Sequence, residues 1–296
     1  MTGATGLIGR EIVKLRLQKT IVIHYLTTSK AKLNSDKNYK GFYWNPSTNE
    51  IDHNCFKDID IIINLVGASI AKRWTKSYKK EIIESRIKTA HLLQDTIKNH
   101  NYSIKHVISA SAVGIYPSSS YNYYDETNID ISNSFLGQVV EQWETAINGF
   151  KDLGCKVTKV RIGLVLSNKG GVLPKLTKPI KYFAGAIFGN GKQWQSWIHI
   201  RDLAAIFVFL LEQNLTGIFN AVAPNPVTHK KCMQLTAKTL KKPLIIPNIP
   251  KSIIKLILGE MHILLFESQR ISSKKIETVG YNFRYTNLET ALKDLL

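Results

Sequence analysis

Apolar residues along this chain follow two alternating patterns. Short β-branched runs of strand character are separated by longer stretches with helical spacing. Thr20-Ile21-Val22-Ile23-His24-Tyr25-Leu26, Asp60–Val66, Val107–Val113 and Lys156–Leu166 are runs of the first kind. Such continuous runs predict strands covered on both faces, as in a parallel sheet. Glu11–Leu17, Lys79–Asn99 and Phe135–Phe150 are helical in pattern, and Ile82, Ile83, Ile87, Leu92 and Ile97 form an apolar stripe along the second. Alternating strand and helix predict an α/β fold doubly wound on a parallel sheet. Further along, turns at Gly170-Gly171 and Gly189-Asn190-Gly191 precede a helix at Asp202–Gln213 and a short strand at Gly217–Asn220, and prolines 243, 247 and 250 interrupt the C-terminal helical stretches. This predicts a first domain over 1–166 and a smaller C-terminal α/β lobe over 167–296.

The stretch from Thr2 to Arg10 opens directly into the first helical run, with Gly3, Gly6 and Gly9 at every third position. Glycines let a backbone approach a pyrophosphate closely, and the first turn of a helix offers free N–H groups at its positive end. The spacing predicts a Rossmann-like dinucleotide turn built from Gly3, Thr5, Gly6, Leu7, Ile8 and Gly9; the bland alternative is glycine used only for positive φ. A buried strand precedes such a turn. Here only Met1 and Thr2 do, so the first strand is expected to be missing, and an added upstream apolar strand is expected to improve solubility and cofactor binding. After the second strand comes Thr27-Thr28-Ser29-Lys30, with no acid to hold the ribose hydroxyls of NAD. Small hydroxyls and lysines suit a 2′-phosphate, which predicts NADP in preference to NAD, with Thr28 and Lys30 near the phosphate. A solvated loop is the alternative. Asn64, Leu65 and Gly67 end the third strand and Ser109 lies in the fourth, all placed to cover a cofactor; Arg86 and Arg73 are candidates for anion contact because guanidinium offers a two-pronged fork.

Composition changes this picture little. The 296 residues carry a net charge of +18, but the lysines are dispersed among Asn and Ile rather than gathered in a stripe. Nucleic acid is therefore not expected as a partner, whereas an anionic cofactor or substrate is favoured. Leu203–Leu211 is the longest apolar run and is about half the length that spans a bilayer. The three scattered cysteines read as thiols in a reducing cytoplasm, and no Cys/His cluster has metal spacing. The expectation is a cytoplasmic protein acting on a small-molecule substrate, without a membrane partner or a metal; a homodimer is left open.

Assembled in order, these residues resemble the extended and atypical short-chain dehydrogenase/reductase superfamily. More narrowly, the chain is similar to epimerase-like proteins with a C-terminal DUF1731 domain, here from about residue 245, loosely labelled sugar-nucleotide epimerases. The strings that carry the likeness are Thr2–Arg10, Asn64–Ala71 with Arg73-Trp74, Ser85-Arg86-Ile87, Ser109–Tyr116, Trp143-Glu144, Arg161-Ile162-Gly163, Trp194–His199, Ala223–Pro226, Leu258–Met261 and Gln269-Arg270. The resemblance implies a dinucleotide held by Gly3, Gly6, Leu7, Ile8, Gly9, Asn64 and Gly67, and an oxidoreductase or epimerase activity. In such relatives a Ser strand is followed by a helix carrying Tyr-x-x-x-Lys. Here that helix reads Ser134-Phe135-Leu136-Gly137-Gln138-Val139-Val140-Glu141, with neither residue. Catalysis is then expected to rest on Ser111 and Tyr116, and a redox-silent dinucleotide sensor stands as the second reading. Ser111 either orients a substrate carbonyl or bonds its own backbone; Tyr116 is either an acid/base or a turn-closing phenol. Trp194 and Trp197 either stack on a ring or fill core, His199 is expected to be structural, Arg161 to anchor Glu144, and Glu260 to pair with Arg270.

Overall fold

The computed structural model describes residues 1–17 and 21–296. Thr20 of the expected second strand lies outside the described residues. In chain order the first elements are α1 (Leu7–Leu17), β1 (Ile23–Thr27), β2 (Ser35–Asp36), β3 (Tyr39–Asn45), β4 (Glu50–Ile51), β5 (Ile61–Asn64) and α2 (Lys76–Asn99). Then come β6 (His106–Ala112), β7 (Tyr123–Tyr124), α3 (Phe135–Asn148) and β8 (Lys156–Ile162). They are followed by α4 (Leu173–Lys181), α5 (Ile200–Glu212), α6 (His229–Thr239) and α7 (Lys251–Leu258). The chain forms two compact units. One consists of Met1–Ala112, Gln138–Arg161 and Ala204–Ile218; the other of Val113–Gly137, Ile162–Leu203 and Phe219–Leu296. The units interleave along the sequence, so each draws on both sides of residue 166.

The first unit is built on a sheet. β1 pairs parallel with β3, Ile23 opposite Tyr39 through Thr27 opposite Tyr43, and β5 pairs parallel with β6, Ile61 opposite His106 through Asn64 opposite Ser109. β8 follows β6 in the sheet. Thr2 joins the two halves: it bridges Leu26 on one side and Asn64 on the other, both in parallel sense. Its N–H donates to the Ile63 carbonyl at 2.9 Å, and the Leu26 N–H donates to the Met1 carbonyl at 3.0 Å. Thr2 thus holds the central place of the sheet, where the sequence predicts no first strand. A parallel sheet is stable only when both faces are covered; α2 contributes Ile82, Leu92, Leu93 and Ile97 to the core, while Ile83 and Ile87 of the expected stripe are half-buried. Thr75 caps α2 by accepting from the Tyr78 N–H.

Beside the stub is a cavity of about 360 Å³ lined by Met1, Ile23, His24, Ile61, Ile63 and Leu211. Its walls are the starting halves of β1 and β5, the segments leading into them, and Ile12 and Arg16 of α1. A variant with four added apolar, β-branched residues before Met1 is expected to fill this slot as a parallel strand. Each side chain that becomes fully buried stabilises by about 1.5–3 kcal/mol, so the melting temperature should rise by more than about 5 °C. Calorimetry of the two forms checks this; equal melting temperatures would show that the slot does not accept a strand.

The second unit packs Leu166, Leu173, Leu176, Ile180, Trp197, Met233, Leu288 and Leu292 into one core. The expected single strand over Lys156–Leu166 breaks at Gly163, because Leu164–Leu166 turns to pair in parallel with Trp197–His199. At Gly163 an added Cβ would lie 2.2 Å from the Ser196 carbonyl oxygen, so the break is fixed by close backbone approach. Asp202 then ties the C-terminal segment down: its carboxylate accepts from the N–H groups of Arg284 and Tyr285 at 2.9 Å each and from the Tyr281 hydroxyl.

Candidate functional site

The glycine turn has the geometry its spacing predicts. Gly3 has φ +66°, a conformation that L side chains rarely adopt. The Gly6 N–H donates to the Gly3 carbonyl at 3.0 Å, and the chain enters α1 at Leu7. A Cβ on Gly9 would lie 2.2 Å from the Gly3 carbonyl oxygen and 2.7 Å from Ala4 Cα. Only glycine lets the helix start lie this close to the turn. The first turn of α1 contains no acid, so its N–H groups and positive dipole end meet no internal competitor for an anion. Gly6 is exposed and Leu7 and Ile8 are half-buried, which leaves the turn accessible to a ligand. The donors and the close-approach glycines fit a pyrophosphate.

Two neighbouring features fix that turn. Thr2 donates its hydroxyl to Asn64 Oδ1 at 2.7 Å, Asn64 Nδ2 donates to Ser109 Oγ at 3.2 Å, and the Leu65 N–H donates to Thr2 Oγ1 at 3.0 Å. Thr2, Asn64 and Ser109 are all buried, so this network ties the Thr2 bridge to β5 and β6. Beyond it, an added Cβ on Gly67 would fall 2.9 Å from Arg86 Cζ. Arg86 donates to the carbonyls of Ile82 at 2.8 Å and Ala68 at 3.3 Å, and its guanidinium lies 5.0 Å from the Trp143 ring centre. Among the described residues no carboxylate pairs with it, its Nε has no partner, and burial pushes its pKa down to about 10. A cation held this way, facing Gly67 in the loop after β5, is short of negative charge. At the end of β1, Thr28 and Lys30 are exposed, and the Lys30 ammonium lies 5.1 Å from the Tyr43 ring centre. Arg73 is exposed as well.

Ser111 lies near the end of β6 and is buried. Its hydroxyl donates to Glu144 Oε1 at 2.6 Å. The same carboxylate accepts from Arg161 Nε at 2.8 Å and Nη2 at 3.1 Å, and Lys159 Nζ is 3.2 Å from Oε2. Burial works to raise the Glu144 carboxyl, but Arg161 first, then Lys159 and Ser111, outweigh it and hold it below the ordinary carboxylate range. The expected Arg161–Glu144 pairing is therefore present. What the sequence does not show is that Glu144 also holds Ser111, and that Lys159 completes the cluster.

The remaining candidates have defined settings in the second unit. Tyr116 is fully buried and donates its hydroxyl to Asn220 Oδ1 at 2.9 Å. Trp197 is buried with its indole N–H on the Asn225 carbonyl; Trp194 donates to the Ser120 carbonyl. His199 is buried and stacks on Tyr285 with ring centres 3.8 Å apart, the structural role expected of it. Arg270 does not pair with Glu260: its guanidinium lies over the rings of Trp194 and Tyr123, at 4.7 and 5.0 Å. Aromatic faces here take the place of the expected carboxylate. Among the described residues, no three His, Cys, Asp or Glu side chains are grouped to hold a metal, and no helix is long and apolar enough to cross a membrane.

Comparison with known proteins agrees with this geometry. An epimerase family protein of Staphylococcus aureus is 35% identical over 297 residues, covering 100% of this chain and 98% of the relative. The crystal structure of the human epimerase family protein SDR39U1 (isoform 2) with NADPH superposes with a TM-score of 0.83 at 25% identity, covering 99% of this chain and 97% of that one. A nucleoside-diphosphate sugar epimerase from Corynebacterium glutamicum superposes with a TM-score of 0.76 at 27% identity, covering 98% of this chain and 56% of that one. Residues 249–295 match the domain of unknown function DUF1731. Residues 1–221 match the NAD dependent epimerase/dehydratase family, and with the glycine turn, the parallel sheet and the full-length relatives in agreement, the chain belongs to that family.

Proposed function

We propose that this protein is an NADP(H)-dependent oxidoreductase or epimerase acting on a small, sugar-like substrate. The observation that carries the reading is a glycine turn opening a helix with no acid in its first turn, followed, at the end of β1, by Thr28 and Lys30 with no acid between Thr27 and Lys32. An acid there would repel a 2′-phosphate; Lys30 attracts it. Gly3, Thr5, Gly6, Leu7, Ile8 and Gly9 would hold the pyrophosphate, with Leu65 and Gly67 against the cofactor and Asn64 and Ser109 aligning the strand ends beneath it. Arg86 would supply positive charge beside Gly67. The relatives support the class: the human protein is described with NADPH, and the Corynebacterium protein is a nucleoside-diphosphate sugar epimerase.

A bound nicotinamide supplies hydride exchange. The chain's own contribution at the reacting oxygen is Ser111. Because its proton is given to Glu144, Ser111 Oγ presents lone pairs, and it therefore accepts from a substrate hydroxyl more readily than it donates to a carbonyl. Tyr116 has the harder task. Its phenol would have to leave Asn220 to give a proton to a developing alkoxide. With no Lys four residues along a helix to assist a Tyr, turnover is expected to be slow, since one positioned acid/base contributes about 10²–10⁴-fold.

Calorimetry with NADPH and NADH tests the cofactor. NADPH is expected to bind tighter by about 1–3 kcal/mol, the range of a charge-assisted contact, and Lys30→Ala should narrow the gap. Equal or tighter NADH binding would overturn the preference. Turnover of aldehydes, ketones and sugar nucleotides by wild type, Ser111→Ala and Tyr116→Phe tests the chemistry. Fast turnover that survives both substitutions would remove these two residues from it, and tight NADPH binding with no turnover on any substrate would replace the enzyme by a dinucleotide sensor.

A further inference from the structure

Helix α7 has an apolar side that the fold does not use. Ile254 is its buried anchor, while Leu256 is 87% and Ile257 66% exposed, and Ile253 is exposed beside them. Lysines 251 and 255 flank this face. It is not isolated. Ile249, just before α7, exchanges backbone hydrogen bonds with the 187–189 segment: its N–H donates to the Ile187 carbonyl at 2.9 Å, and the Gly189 N–H donates to its carbonyl at 2.8 Å. Just upstream of that segment, Phe183 is exposed beneath the Lys242 ammonium at 4.5 Å, next to exposed Tyr182. Ile245 and Ile246, between Lys242 and α7, are exposed too.

The charge along these segments is mainly positive, with exposed Glu260 just after α7 as the nearest acid in the chain. Neither residues 170–201 nor residues 213–259 include a single Asp or Glu, while lysines 178, 181, 241, 242, 251 and 255 lie within them. Exposed aliphatic side chains bordered by lysines are the pattern of a surface lying in a lipid interface, with apolar groups at the acyl boundary and ammonium groups at the phosphates. A second copy of this chain would bring an equally cationic face to the contact, which opposes self-association there. We propose that α7, with the 182–183 and 245–246 segments, docks on an anionic lipid surface. No apolar run of the sequence is long enough to span a membrane, which predicts no membrane partner, but a peripheral contact needs no such run.

Co-sedimentation of the full chain with phosphatidylglycerol/phosphatidylcholine vesicles tests this. Binding is expected to the mixed vesicles, not to phosphatidylcholine alone, and to weaken with added salt. Lys251→Glu with Lys255→Glu should reduce partitioning by at least about fivefold per site. Leu256→Glu with Ile257→Glu should abolish it. Both pairs lie on the exposed side of α7, and an unchanged melting temperature would confirm that they still fold. No sedimentation with the mixed vesicles at low salt, or sedimentation unaffected by Leu256→Glu with Ile257→Glu, would overturn the proposal. So would a dimer in vesicle-free solution, measured by light scattering, that this same variant breaks, since a second copy would then cover the face.

Discussion

Glu144→Ala is expected to destabilise the protein by about 3–5 kcal/mol, the range for breaking a buried ion pair from one side, with a fall of about 10 °C in melting temperature. The carboxylate is 6% exposed and holds Arg161, Lys159 and Ser111 at 3.2 Å or less. Its removal takes the buried carboxylate away from Arg161 and Lys159 and frees the Ser111 hydroxyl. Ser111→Ala loses only the hydrogen bond to a charged group, about 1.5–3 kcal/mol, so the two variants should separate clearly in a thermal melt. The pH dependence has a definite sign. The Glu144 carboxyl is held below its ordinary value in the folded state. Its contribution is therefore present above the unfolded value of about 4.3 and is lost as pH falls through the lower folded value. The wild type should lose more stability than Glu144→Ala across that acid range. Parallel acid-denaturation curves, or a variant as stable as wild type at neutral pH, would show that the cluster does not contribute as described.

Gly9→Ala is expected to weaken NADPH binding by about 10- to 100-fold. The added Cβ meets only backbone, at 2.2 Å from the Gly3 carbonyl oxygen, 2.7 Å from Ala4 Cα and 2.8 Å from the Ala4 carbonyl oxygen. No rotamer change relieves such a contact, so the turn itself must move. Overpacking of this kind costs about 1–3 kcal/mol, and about 1.4 kcal/mol is tenfold in affinity if it falls on the binding-competent conformation. Gly6→Ala is a control for the fold of the turn, not for affinity: its Cβ would sit 3.1 Å from the Gly3 carbonyl oxygen and meet no other protein atom nearby, so its melting temperature should stay close to that of wild type. Calorimetry that found Gly9→Ala and wild type equal in NADPH affinity would detach the turn from cofactor binding.

The amino-acid sequence by itself determined the class of fold. β5 and β8 lie within the β-branched runs, β1 and β6 overlap theirs except at Thr27 and His106, α2 carries most of its apolar stripe inward, and Gly3, Gly6 and Gly9 form the turn their spacing implies. These are local properties. Burial on both faces, helical spacing and glycine's backbone freedom each act over a few residues and so leave a trace in a single stretch. Even the Arg161–Glu144 pair was legible, because a cation inside a buried strand requires an acid and few acids are near.

The tertiary structure decided which distant groups meet. Ser111 and Glu144 are 33 residues apart and Tyr116 and Asn220 are 104 apart. Nothing local records that two buried hydroxyls find these acceptors. Thr2 reads as a residue too few for a strand, yet it stands at the centre of the sheet because β1 and β5 both present ladders to it. The face of α7 shows the converse. Its sequence has the pattern of a helix with a buried side, and only the packing around Ile254 shows that Leu256 and Ile257 are left outside. Periodicity states how much apolar surface an element carries; where that surface goes depends on which other elements reach it.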